Sequence, residues 1–149
     1  MNQVISADAA MARAIECARL GLGKTSPNPI VGAVITSATG EFISEGFHSG
    51  AEHAEVVAIA AAKEIPAGAI IYVTLEPCNH QGKTPPCADL IIQHQFKKVV
   101  IGCLDTFSKV CGSGISAIKA AGIEVELGVL EKECRELNKR FFTFHERKR

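Results

Sequence analysis

Four side chains in three short segments carry the chemistry of this sequence. His53 and Glu55 stand two apart in His53-Ala54-Glu55, Cys78 follows Pro77, and Cys87 comes nine positions after Cys78. One imidazole and two thiolates are sufficient ligands for a catalytic zinc ion, because such sites use three protein ligands and keep the fourth tetrahedral position for water. A carboxylate not needed as a ligand can then move the protons of that water. The spacing therefore points to a zinc-dependent hydrolytic step, with one zinc ion per chain on His53, Cys78 and Cys87 and Glu55 as the proton carrier. His-Ala-Glu or Pro-Cys alone would say little; their order and joint context carry the weight. Two blander readings of the same residues stand beside it. One is a closed structural zinc site with His80 or His48 as fourth ligand, and the other is core cysteines unrelated to a surface histidine.

The elements that must bring these residues together are read from hydrophobic spacing. Asp8 is expected to cap a first helix over about 9–20, with Ala10, Ala14, Ala18 and Met11, Ile15 on one face. Gly21 and Gly23 end it. Ile30 to Ile35 is a β-branched run that predicts a buried strand, Ser37 to Gly40 a hairpin turn, and Glu41 to Phe47 the returning strand. An Ala-rich helix is expected from His53 to about Lys63, and an apolar strand from Ala69 to Leu75. After a loop over 76–86, Thr84 and Pro85 suit a helix start, which places Cys87 in a first turn that runs on to about His94. Strands over 97–104 and 123–127 alternate with helices around Ile115–Ala121 and from about Leu130. An initial hairpin followed by alternating strands and helices predicts a three-layer α/β/α sandwich on a mixed sheet of about five strands. In such a sheet, strand ends and helix starts share one rim, where ligand sites form. His53, Cys78 and Cys87 all fall at such places.

Composition sets further bounds. The 149 residues fit one domain, read as 1–149. Hydrophobic residues make up 47% and aromatics only 5%, with no Trp, so the core is expected to be aliphatic. Lys+Arg and Asp+Glu are 16 each, and this balance argues against a nucleic-acid partner. No apolar run predicts a membrane span and no secretion signal is seen, so the expected location is cytoplasmic. Six cysteines in that setting are read as reduced thiols. Cys17, Cys103, Cys111 and Cys134, in or beside apolar elements, are expected to act as small buried hydrophobes.

The order His-x-Glu, Pro-Cys and a further Cys resembles the signature of zinc-dependent nucleobase deaminases, in which the Glu moves protons and is not a ligand. Longer segments sharpen the resemblance. Residues Thr25-Ser26-Pro27-Asn28-Pro29 through Val34, His53-Ala54-Glu55-Val56, and Tyr72 through Ala88 resemble the deaminase domain of the bacterial riboflavin-biosynthesis deaminase/reductases. This family is cytidine-deaminase-like in fold. Eight residues separate Cys78 from Cys87, a longer spacing than cytidine or tRNA adenosine deaminases use. The resemblance implies hydrolysis of 2,5-diamino-6-(5-phosphoribosylamino)pyrimidin-4(3H)-one to 5-amino-6-(5-phosphoribosylamino)uracil and ammonia. It implies that Asn28 and His48 sit by the pyrimidine, that His80 and Lys83 face the ribose phosphate, and that Asp105 is nearby. It also implies a homo-oligomer, dimer or tetramer, and a reductase domain or partner for the next step. No dinucleotide fingerprint is present, so no NADP site is expected in this chain.

The chain departs from that family at Thr106-Phe107-Ser108, where Pro-Asn-Pro is common, at Val57, and in a shorter segment between His48 and His53. These positions bear on substrate grip rather than on zinc or Glu55. The rival readings are a deaminase of another nucleobase, nucleoside or tRNA adenosine, and a catalytically inactive homologue acting as a scaffold.

Overall fold

The first helix begins at Ser6, whose hydroxyl oxygen accepts a hydrogen bond from the Ala9 amide at 3.1 Å. That bond satisfies an N–H with no partner inside the helix. The expected cap, Asp8, instead lies in the first turn of α1 (Ala7–Arg19), where its charge faces the positive end of the helix dipole. Starting at Ser6 also brings Ala7 onto the core beside Ile5.

The computed structural model of the chain describes residues 4–20, 30–48, 53–76, 87–104 and 113–137, with the side chains of Cys87 and Ser113 excepted. The remaining elements are β1 (Gly32–Thr36), β2 (Phe42–Phe47), α2 (Ala54–Ala61), β3 (Ile70–Leu75), α3 (Cys87–Gln93), β4 (Lys98–Cys103), α4 (Ser113–Ala120), β5 (Glu124–Leu127) and α5 (Glu131–Leu137). The five strands form one sheet in the order β2-β1-β3-β4-β5. β1 is antiparallel to both its neighbours, while β3, β4 and β5 are parallel. The β1–β2 hairpin turns at Gly40, whose φ of 95° suits a residue without a side chain.

Alternation along the strands sorts the core into two layers. Ala33, Ile35, Ile71, Val73, Val99 and Ile101 pack against α2, α3 and α4 through Ala54, Ala58, Ala88, Ile91 and Ile118. Val34, Tyr72 and Val100 pack against α1 and α5 through Met11, Ala14, Ile15 and Cys134. The result is the three-layer α/β/α arrangement. β2 needs a correction of phase to join it. Ile35 pairs with Ser44 but Thr36 with Phe42, so Ile43 is the extra residue of a bulge. Phe42 consequently packs in the α1 layer under the Arg13 guanidinium, 3.9 Å from the ring centroid, while Ser44 and Gly46 face α2.

Cys17, Cys103 and Cys134 are free and buried. Burial pushes the Cys17 thiol up to about 11, helped by Glu45, and the Cys134 thiol up to about 12. Both remain protonated at neutral pH, as small core residues should. Cys111 lies outside the described residues. Among the described residues no helix is long and apolar enough to cross a membrane.

Candidate active site

Strand polarity decides where the site can be. Because β1 alone runs against the others, the C-terminal ends of β2, β3 and β4 share one rim with the start of β1. The described backbone leaves this rim after His48, Glu76 and Leu104 and returns to it at Ile30, His53, Cys87 and Ser113. α2 lies antiparallel along β2, with Ala58 beside Ser44 and Ala54 beside Gly46, so its N-terminus is also at the rim. α3 begins there too, as the crossover between the parallel strands β3 and β4 requires.

His53 is the N-cap of α2, with extended backbone at φ −80° and ψ 155°, and its imidazole does not cap the helix. His48 follows β2 directly, and its amide donates to the Val31 carbonyl at 3.0 Å. The two imidazoles stack at a tilt of 36° with centroids 5.1 Å apart, within the range of packed aromatic rings. Glu55, in the first turn of α2, is only 3% exposed, and His48 is 7% exposed. Glu76 closes β3 at 9% exposure, its amide donating to the Cys103 carbonyl at 2.9 Å.

Sequence reading did not single out Glu76. The available signal was a carboxylate placed between an uninterrupted apolar strand and Pro77. Among the described residues, the buried imidazole and carboxylate groups are His48, Glu55 and Glu76, and all three are at this rim. Burial of ionisable groups is costly unless they are partnered, and their gathering at one rim makes that rim the candidate site.

Cys87 opens α3 by its backbone. Cys78, Asn28, His80, Lys83, Asp105 and Phe107 lie outside the described residues. Within the described residues no group of three or more His, Cys, Asp or Glu side chains could hold a metal ion, and of the three expected ligands only His53 has a described side chain. The chemistry of the donor set fits zinc, since one imidazole nitrogen and two thiolate sulfurs suit a borderline-soft ion in tetrahedral coordination.

Residues 5–103 match the family model of the cytidine and deoxycytidylate deaminase zinc-binding region. The chain is 47% identical over 134 residues to the diaminohydroxyphosphoribosylamino-pyrimidine deaminase of Buchnera aphidicola subsp. Schizaphis graminum, covering 89% of this chain and 90% of that one. The chain belongs to the cytidine and deoxycytidylate deaminase family, in its riboflavin-biosynthesis branch.

It is also 46% identical over 140 residues to the riboflavin biosynthesis protein RibD of Synechocystis sp., covering 93% of this chain but only 38% of that one. The crystal structure of a Thermotoga maritima diaminohydroxyphosphoribosylaminopyrimidine deaminase/5-amino-6-(5-phosphoribosylamino)uracil reductase superposes with a TM-score of 0.88 at 48% identity. It covers 95% of this chain and 42% of that one. This family chain thus spans about two fifths of the length of such two-activity relatives.

Proposed function

We propose that the chain hydrolytically deaminates 2,5-diamino-6-(5-phosphoribosylamino)pyrimidin-4(3H)-one, giving 5-amino-6-(5-phosphoribosylamino)uracil and ammonia. One observation carries the reaction class: a carboxylate, Glu55, buried in the first turn of the helix that His53 caps, at the strand-end rim. The choice of substrate draws support from the 47% identity to a Buchnera protein named as that deaminase.

In this reading His53, Cys78 and Cys87 hold zinc. Bound there, zinc supplies a water whose pKa is lowered from ~15.7 toward 7. Glu55 would take a proton from the attacking water and pass it to a ring nitrogen of the pyrimidine; it would then take the second proton from the hydroxyl of the resulting adduct and give it to the departing amine, so that ammonia leaves as the carbonyl forms. Its low exposure keeps bulk water from competing for that proton. His48 closes the pocket beside His53, and Asn28 with His48 orients the base. Lys83 and His80 grip the ribose phosphate through charge-assisted hydrogen bonds, with Asp105 nearby.

Residues 1–149 form one deaminase domain that works as a homo-oligomer, with the following reduction performed by a separate domain or protein. A reducing, cytoplasmic setting suits the free thiols of Cys17, Cys103 and Cys134.

Ammonia release from the phosphoribosyl compound, measured beside the same compound lacking phosphate, tests the reading. Turnover that depends on phosphate is expected. Equal turnover on both would remove Lys83 and His80 from their roles, and no turnover on either would overturn the substrate.

A further inference from the structure

We propose that Ser44 and Gly46, on the α2-facing row of β2, are positioning residues that set the height and rotation of α2 and thereby place His53 and Glu55. This rests on the zinc-deaminase reading above. Beyond the bulge at Ile43, the buried residues of this stretch are Ser44, Gly46 and His48, every second residue and so one face of the strand. Each meets α2 at a successive level. The Ser44 hydroxyl donates to the Ala58 carbonyl at 2.7 Å, and that carbonyl also accepts the Ala62 amide at 3.2 Å where the helix ends. At Gly46 an added Cβ would lie 2.5 Å from the Ala58 nitrogen, 2.7 Å from the Ala54 carbonyl oxygen and 2.8 Å from the Val57 Cβ. The helix backbone therefore rests on the strand with no side chain between them. His48 ends the row against the His53 ring.

This row is built differently from an ordinary apolar seam. A hydrogen bond fixes translation along the strand, and backbone contact fixes the separation. His53 and Glu55 flank Ala54, whose carbonyl meets Gly46, so any shift of the helix at that contact moves both. A helix lifted by one methyl group would carry the imidazole away from the ligand position and the carboxylate away from the reacting atoms.

Zinc affinity measured by competition with a chromophoric chelator, and the visible absorption of the cobalt-substituted protein, read the ligand geometry independently of turnover. Gly46→Ala should keep its far-UV circular dichroism, bind zinc about 10-fold more weakly, shift the cobalt bands and lower kcat with little change in KM. Ser44→Ala, which adds no bulk, should weaken zinc about 5-fold. Met11→Ala, on the opposite core layer, is the control for general destabilisation. It should lower the melting temperature and leave zinc affinity and the cobalt bands unchanged.

Wild-type zinc affinity and cobalt bands in both β2 variants would overturn the proposal. So would a loss of affinity in Met11→Ala equal to that in Ser44→Ala. If Gly46→Ala fails to fold, Ser44→Ala alone decides. Wild-type chain that holds zinc yet deaminates nothing would sink the substrate reading only, leaving the comparison of variants intact.

Discussion

Glu55 and His53 differ in what removing them should do. Glu55→Gln keeps the shape and burial of the side chain but cannot accept a proton. Turnover should fall about 10²–10⁴-fold, the usual contribution of a positioned acid/base, while zinc content stays at the wild-type level. Ammonia release beside metal analysis checks both halves, and a Gln variant that still turns over would end the assignment of Glu55. The sequence singles out these two residues because the chemistry proposed for them depends on type and spacing alone. It does not single out Glu76, since a glutamate after a strand reads as a loop residue until its burial is seen.

At the scale of elements, every strand and helix described here was foreseeable from hydrophobic period, and the shifts were at ends. Ser6 takes the cap expected of Asp8 because two good capping residues stand two apart, and only packing of Ala7 and Ile5 chooses between them. Ser6→Ala should cost about 1 kcal/mol of stability and leave zinc affinity untouched, since α1 belongs to the layer opposite α2. Urea unfolding of the two proteins measures the difference. The docking of α2 on β2 was the illegible part. An isolated glycine within a strand signals a close backbone approach or a bulge, but the sequence does not say which backbone approaches, and the bulge itself falls three residues away at Ile43.

For the whole molecule, the buried thiols set an alkaline limit. Cys17 and Cys134 are raised from 9.0 to about 11 and about 12, so the folded state keeps protons that the unfolded chain gives up. Their contribution is constant below pH 9 and is lost as the pH climbs toward the folded values. Between pH 9 and 11 stability should fall by about 1.4 kcal/mol per pH unit for each thiol, with Tyr72, also raised by burial, adding to the decline above pH 10. Cys134→Ala should remove one thiol's share of that slope in denaturation curves taken across the range.

The sheet order leaves β5 at an edge, and its sequence bears on how copies of this protein meet. Glu124 and Glu126 alternate along four residues, and Lys98 of β4 holds both, at 3.4 Å and 2.7 Å. A second copy extending the sheet through this edge would set carboxylates against carboxylates, which is unfavourable across a strand pair. Replacing both with Val should turn the edge adhesive, seen as light scattering that grows with protein concentration where the parent protein stays clear. Two glutamates far from the candidate site thus keep this edge from serving as a template for further strands.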